Sequence, residues 1–234
     1  MSSTVRMPAP DVWGVGRVLI GGQTVPWAVS QRDVDDESRA HVVSMRRLGV
    51  GVGDVVVICS LLSETIHVFP LEQAANLVGA RYSSTDATEF DAFRTAAMIR
   101  QVSPTAVIGV NRDVVTGLRN LGHDLREVFE PVGAVATTDD DAHRALEHAG
   151  LAPRRWLKLG PTSGFECGER DGVHFDAARL RVGVGGDGGL TVTTTANRLT
   201  ACADLPIGLR GELVSDPCPC GSDDPRVRLT QSSG

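Results

Sequence analysis

The sequence predicts an α/β fold in which helices flank a parallel sheet, followed by a small β-rich lobe. Up to about residue 160, apolar β-branched runs alternate with amphipathic segments, the pattern of βαβ units. Val55–Cys59 is a continuous apolar run, typical of a strand buried on both faces. After Gly160 glycine becomes dense and helical periodicity disappears. We therefore expect an α/β lobe over residues 1–160 and a β-rich lobe over residues 161–234.

The individual elements follow in order along the chain. Residues 33–48 have an acidic first turn and apolar side chains at helical spacing, and Gly49 ends the predicted helix. Pro70 is expected to open a second helix, which Gly79 ends. Asn111 is a candidate N-cap for a later helix. Further helices are predicted over residues 89–102, 111–121 and 140–149, and further strands over residues 81–83, 106–110, 134–137, 156–159, 190–195 and 212–215.

Composition limits the kinds of partner. The chain has 234 residues, a formal charge of −6 and no basic run, which argues against nucleic acid and anionic membranes. Residues 1–10 lack the apolar core of a signal peptide, and no segment approaches a membrane span. We expect a cytoplasmic protein whose five cysteines stay reduced and whose partner is a small molecule or another protein.

Four residues of the last third form a candidate zinc site. Cys167 and His174 lie close together, and Cys218 and Cys220 follow as a Cys-x-Cys pair. Three thiols and one imidazole are a ligand set of closed tetrahedral zinc sites, so such an ion would have a structural role. The alternative is four reduced residues without a metal, and Cys202 could replace any one ligand.

Several short strings, in this order, resemble the acyl-adenylating superfamily and within it the phenylacetate–CoA ligase branch. The likeness covers about residues 15–230 and implies the fold of the N-terminal domain of those ATP-dependent enzymes. The strings are Arg47-Leu48-Gly49-Val50-Gly51-Val52-Gly53-Asp54-Val55-Val56, Glu166-Cys167 with Asp171-Gly172-Val173-His174, Gly189–Thr195, Leu205-Pro206-Ile207 and Cys218-Pro219-Cys220-Gly221.

Only some of the residues that the resemblance assigns to binding the phosphates of ATP are present here. The segment Ile20–Pro26 stands at the glycine-rich phosphate loop. It keeps Gly21, Gly22 and Thr24 but has no lysine. Backbone N–H groups and hydroxyls can surround a phosphate, yet the usual cationic partner is absent from this segment.

Two further nucleotide motifs also depart from the family's pattern. The family's aromatic-Gly-x-Thr/Ser-Glu segment corresponds to Leu159–Ser163, in which Gly160 and Thr162 match while Ser163 replaces the carboxylate that helps to hold magnesium. Glu212 stands in place of the aspartate that binds ribose. The sequence ends at Gly234, before the family's lysine-bearing C-terminal domain, and the single lysine, Lys158, belongs to a predicted strand. ATP and magnesium are therefore not expected as cofactors.

These departures leave three hypotheses. The first is a degenerate relative that binds a small carboxylate, a thioester or a protein partner within a biosynthetic pathway and does not activate acids alone. The second is an ATP-independent enzyme acting on an activated acyl or aryl substrate, with Glu166 and Glu212 as weak catalytic candidates and Cys167 with His174 as a nucleophile and base if no metal occupies them. The third is a divergent acyl–CoA ligase.

These three hypotheses include a binding protein and two kinds of enzyme, and the sequence does not decide between them. Truncation is expected to uncover Leu205, Ile207 and Leu209, and such an exposed apolar segment would favour a homo-oligomer.

Overall fold

The computed structural model describes residues 11–20 and 23–230. Thirteen strands run through these residues. They are β1 (Val12–Ile20), β2 (Gln23–Ser30), β3 (Val55–Ser60), β4 (Arg81–Asp86), β5 (Ala106–Val110), β6 (Ala134–Thr137), β7 (Arg154–Leu159), β8 (Thr162–Glu166), β9 (Val173–His174), β10 (Leu180–Val184), β11 (Gly189–Thr194), β12 (Leu205–Val214) and β13 (Arg226–Leu229).

Eleven of these strands form one mixed sheet, in the order β10-β11-β12-β13-β9-β8-β7-β6-β5-β3-β4. The pairs from β7 to β4 are all parallel, and the pairs from β10 to β7 are all antiparallel. β1 and β2 form a separate antiparallel hairpin in which Ile20 pairs with Gln23. The predicted α/β class with a parallel sheet is confirmed.

Six α-helices cover the parallel half of the sheet and its connections. They are α1 (Gln31–Arg47), α2 (Thr65–Leu77), α3 (Ala92–Val102), α4 (Arg112–Asn120), α5 (Leu125–Phe129) and α6 (Asp140–His148). α1 begins with a capping box, since Ser30 Oγ accepts the Asp33 N–H and the Asp33 carboxylate accepts the Ser30 N–H. Asn111 caps α4 as predicted, because its Oδ1 accepts the Val114 N–H.

Apolar side chains form separate cores around these layers. α1 and α2 pack on one face of the parallel strands, whereas α3 to α6 pack on the other. A third core lies under the antiparallel strands and includes Leu159, Val192 and Val227. The hairpin has its own small cluster around Trp27, and β1 also contacts β12 and α2. Burial of these faces supplies the main driving force for folding.

Two local predictions were wrong. Pro70 does not open α2, which begins at Thr65 and contains the proline in its second turn. The proline removes only the hydrogen bond to the Ile66 carbonyl, and burial of the helix on the sheet outweighs that loss. The second error concerns Ile207, which is 4% exposed and packs in the third core because β1 lies close to β12. The exposed apolar segment that was expected to favour a homo-oligomer is therefore not formed by Ile207. The homo-oligomer itself stays a prediction.

Gly160 marks the point at which parallel pairing gives way to antiparallel pairing. It sits with Pro161 in the turn between β7 and β8, with a positive φ of 63°. The division into two domains near residue 160 stays a prediction. Within residues 11–20 and 23–230, no helix combines the length and apolarity needed to cross a bilayer.

Candidate metal centre and ligand cavity

The four predicted zinc ligands come together in space. One donor atom from each of Cys167, His174, Cys218 and Cys220 lies within 4.8 Å of every other. The Sγ atoms of Cys167 and Cys218 are 3.7 Å apart, and Cys220 Sγ lies 3.6 Å from His174 Nε2. All except Cys220 are buried. Cys202 lies elsewhere, with its Sγ 3.6 Å from the Val192 carbonyl oxygen, so it is not a member of the cluster.

Two turns and a short strand place these ligands. Cys167 follows β8 directly, and its carbonyl accepts the Arg170 N–H as the chain turns toward β9, which carries His174. The segment from Cys218 closes on itself, because the Cys218 N–H donates to the Ser222 carbonyl and the Gly221 N–H to the Cys218 carbonyl. Gly221 has a positive φ of 82°, the backbone conformation that favours glycine. Local turns thus shape each half of the ligand set, and pairing of β9 with β13 brings the two halves together.

Two of the six ligand separations have the length of an edge of a tetrahedral zinc site. With Zn–S bonds of about 2.3 Å and a Zn–N bond of about 2.0 Å, the edges of a tetrahedron are about 3.8 Å between sulfurs and about 3.5 Å between sulfur and nitrogen. The 3.7 Å and 3.6 Å separations agree with both values. The residues therefore fit zinc, which Cys167, His174, Cys218 and Cys220 would hold.

A buried arginine beside the cluster supports the same assignment. Arg226 is 2% exposed, and within the described residues its Nε and Nη1 have no hydrogen-bond partner. Its Nη2 lies 3.4 Å from an Asp171 oxygen. A buried cation is costly unless nearby negative charge compensates it. Zinc with three thiolates and a neutral imidazole carries one net negative charge, which Arg226 would balance.

The crowded sulfurs shift one another's pKa values. Burial, together with the neighbouring sulfurs of Cys218 and Cys220, raises the pKa of Cys167 to about 11. Burial alone would raise the pKa of Cys218, but hydrogen bonds from Cys220, Cys167 and Arg226 bring it below the ordinary value. Crowded sulfurs resist simultaneous deprotonation, and a divalent cation removes that repulsion.

A second possible site is a cavity of about 380 Å³ between the hairpin, β7 and β12. This volume lies in the range of small-molecule sites in proteins. Its lining combines polar and apolar side chains from distant parts of the sequence. The lining includes Arg17, Val18, Leu19, Thr24, Glu64, His67, Lys158, Gly160, Ile207 and Leu209.

The structure separates the positions that the resemblance assigned to the nucleotide. Thr24 and Gly160 line the 380 Å³ cavity. Thr162 and Ser163 instead line another cavity, of about 220 Å³, beside α1 and His174. Glu212 lines neither cavity, and its carboxylate accepts a hydrogen bond from Arg228 at 3.0 Å. Gly21 and Gly22 lie outside the described residues.

Glu166, the other weak catalytic candidate, has a structural contact. Its Oε2 accepts the Arg155 backbone N–H at 2.8 Å, and the residue is 7% exposed. Burial raises the pKa of its carboxyl group, while the Arg155 N–H and nearby arginines lower it, and the net shift is upward. It lines neither the 380 Å³ nor the 220 Å³ cavity. Its position favours a role in joining β8 to the start of β7.

A buried ionic network next to Ser163 was not predicted from the sequence. Glu37 Oε1 accepts hydrogen bonds from Arg198 at 2.6 Å and from Arg179 at 2.9 Å. His41 Nε2 lies 3.3 Å from Ser163 Oγ. Burial and the charge of Arg179 lower the pKa of His41 to about 3, so it is neutral at pH 7.

The serine, histidine and glutamate of this network do not form a catalytic triad. Both Ser163 Oγ and Glu37 Oε2 approach the same ring nitrogen of His41, at 3.3 Å and 3.9 Å. A triad requires the carboxylate on one ring nitrogen and the nucleophile on the other. The helical spacing of Glu37 and His41 was visible in the sequence, but Arg179 and Arg198 are more than 140 residues away from Glu37.

Solved structures share this fold. An open conformation of 2-hydroxyisobutyryl-CoA ligase in complex with 2-HIB-AMP and CoA matches with a TM-score of 0.73 and 16% identity, over 94% of this chain and 57% of that one. The two chains share a fold. ATP-bound MatB from Rhodopseudomonas palustris gives a TM-score of 0.62 and 12% identity, over 97% of this chain and 50% of that one.

A third neighbour has the same fold. The NpsA N-terminal subdomain from Klebsiella oxytoca, in complex with 3-hydroxyanthranilyl-AMSN, gives a TM-score of 0.58 and 14% identity, over 92% of this chain and 57% of that one. The chain spans about half the length of the structures it matches. No family model matches it, and no curated protein does.

Proposed function

We propose that this chain uses an adenylating-enzyme fold to bind a small acyl or aryl carboxylate, or its thioester, and does not perform ATP-dependent acyl activation alone. The observation that carries the proposal is the position of Ser163. It stands where the resemblance places the magnesium-binding carboxylate, yet it is 8% exposed and its hydroxyl contacts His41. The 380 Å³ cavity, by contrast, keeps a lysine and apolar walls suited to an organic acid.

The charges around the 380 Å³ cavity support the same proposal. A triphosphate with magnesium needs several cationic groups and at least one anionic ligand for the metal. Among the described lining residues the cations are Lys158 and the exposed Arg17, and Lys158 is paired with Glu64, the one carboxylate among them. A single lysine can pair with a monocarboxylate, whereas this lining gives a triphosphate little counter-charge.

The zinc centre has a structural role in this proposal. Cys218 and Cys220 come from the C-terminal segment, whereas Cys167 and His174 lie next to the sheet strands β8 and β9. Arg47 at the end of α1 reinforces the same connection, since its Nη2 donates to Ser222 at 2.5 Å and Asp224 at 2.6 Å. The geometry is closed by four protein ligands, which leaves no open position for substrate.

The alternative of an ATP-independent enzyme has less support from these contacts. Cys167 and His174 belong to the candidate metal centre, so they would be unavailable as a nucleophile and a base. Glu166 and Glu212 are hydrogen-bonded outside the 380 Å³ cavity.

A thermal-shift screen tests the proposed function. We expect benzoate, phenylacetate or 2-hydroxyisobutyrate to stabilise the protein, by about 2.7 kcal/mol at 100 times its Kd, because the acid binds only the folded chain. Magnesium-ATP should give no shift at matched concentration and ionic strength. Stabilisation by magnesium-ATP without any by the acids or their CoA thioesters would contradict the proposal.

A further inference from the structure

Lys158 occupies an unusual position for the single lysine of the chain. It lies on β7 and lines the 380 Å³ cavity, with its side chain 30% exposed. Its Nζ forms an ion pair with Glu64 and lies 5.2 Å from the centre of the Trp156 ring. The zinc centre and the ionic network around Glu37 do not involve this lysine. Its cationic group therefore lies at the cavity with Glu64 as its ionic partner.

His67 places a second polar group at the same wall. It is 4% exposed on α2, and its ring makes no hydrogen bond with any residue that the structure describes. Burial, and then the nearby charge of Lys158, keeps the pKa of His67 well below its ordinary value. The imidazole is therefore neutral at pH 7 and can donate one N–H to an anion. Because His67 lines the cavity, a ligand bound there can accept this hydrogen bond.

The facing wall is mainly aliphatic. Val18 and Leu19 come from β1, which also carries the exposed Arg17, and Ile207 and Leu209 come from β12, a strand that β1 contacts. Thus one wall has a buried donor and a lysine, whereas the other is mostly made of aliphatic side chains. This division fits a molecule with one anionic end and an apolar body.

We propose that the cavity binds a small monocarboxylate with an aryl or branched aliphatic body, whose carboxylate is held by Lys158 and His67 after it displaces Glu64. The inference rests on the proposed function and names the anchoring groups of the same site. Glu64 acts as an internal competitor, because its carboxylate already occupies Lys158 in the free protein. The Glu64 side chain is 24% exposed and the Lys158 side chain 30% exposed, so solvent reaches the ion pair that the ligand would replace.

Titration calorimetry with benzoate, phenylacetate and 2-hydroxyisobutyrate tests the assignment. We expect Lys158→Met to weaken binding about tenfold or more, because a charge-assisted hydrogen bond is lost. Lys158→Arg should keep part of the affinity, and His67→Phe should weaken binding. Glu64→Gln should strengthen binding several-fold by removing the competitor. Melting temperatures of all variants establish that each one is folded.

Arg17→Met is the matched control, since Arg17 lines the same cavity but is exposed on β1. A small effect of Arg17→Met beside a large effect of Lys158→Met supports the anchor. Equal losses in both variants, or unchanged affinity in Lys158→Met, would overturn it while leaving the proposed function intact. Unchanged affinity in Glu64→Gln would overturn the displacement of Glu64. Binding of no acid to any variant would overturn both the inference and the proposed function.

Chemical labelling gives an independent measurement on the wild-type protein. An amine-selective acylating reagent has one side-chain target in this sequence, and peptide mass spectrometry separates it from the N-terminal amine. We expect a saturating acid to slow acylation of Lys158 and to leave the N-terminal amine unaffected. Acylation of Lys158 at the same rate with and without an acid that binds would contradict the proposed anchor.

Discussion

Cys218→Ser should remove bound zinc and lower the melting temperature by on the order of 10 °C. The variant loses one of four ligands, and serine is a poor ligand for zinc at neutral pH. A metal present at a thousand times its Kd adds about 4 kcal/mol to the stability of the folded chain. In a chain of this length each kcal/mol corresponds to about 2–4 °C. Metal analysis and calorimetric melting of the same samples measure both effects.

Cys202→Ser is the matched control for this variant. Cys202 is a partly buried cysteine that lies outside the cluster and contributes no ligand, so its replacement should leave the metal content unchanged. A chelator should lower the melting temperature of the wild type and have no further effect on Cys218→Ser. Protein purified without chelators that contains no stoichiometric metal would remove the zinc assignment, whatever the variant does to stability.

Glu37→Gln should destabilise the protein by about 3 kcal/mol, because it leaves two arginines without their shared carboxylate. The side chains of Arg198 and Arg179 are 3% and 11% exposed, and both donate to Glu37. The remaining acidic partner of Arg198 is Asp33, whose Oδ1 lies 3.8 Å from Nε. Denaturant unfolding of the two proteins gives the difference directly.

Asp36→Asn provides the comparison on the adjacent residue. The Asp36 side chain is 35% exposed and pairs with Arg32 and Arg39, whose side chains are each 71% exposed. Exposed ion pairs of this kind contribute about 0–1 kcal/mol. An equally small loss of unfolding free energy in Glu37→Gln and Asp36→Asn would contradict this prediction. It would show that the buried network does not fasten the segment around Arg198 to α1.

The parallel half of the fold could be predicted because its local signals agree with one another. The continuous apolar run Val55–Cys59 is typical of a strand buried on both faces, and the Asn111 cap fixes the start of α4. The hairpin β1–β2 and strands β8, β9, β10 and β13 were not predicted. β9 has only two residues, and β8 is a mixed sequence whose burial depends on neighbours far away in the chain.

The candidate site shows the same limit. The four zinc ligands could be named, because thiols and imidazole at short spacings are a chemical signature by themselves. Lys158 was assigned only to a strand, since nothing local indicates that Glu64, 94 residues earlier, would pair with it. Arg198 and Arg226 are buried because acidic or thiol groups from distant parts of the chain balance their charge. Their burial could therefore not be predicted from the residues next to them in the sequence.

Carboxylate-dependent exchange of labelled pyrophosphate into ATP tests the central claim most directly. The chain is proposed to bind an organic acid without activating it, so exchange should stay at background with benzoate, phenylacetate and 2-hydroxyisobutyrate. The physical reason is the lack of counter-charge for a triphosphate and of a carboxylate at Ser163 for magnesium. The assay should use metal-replete protein at a concentration at which calorimetry detects acid binding. Exchange well above background with any one acid would contradict this claim, because it would show that the chain activates acids with ATP.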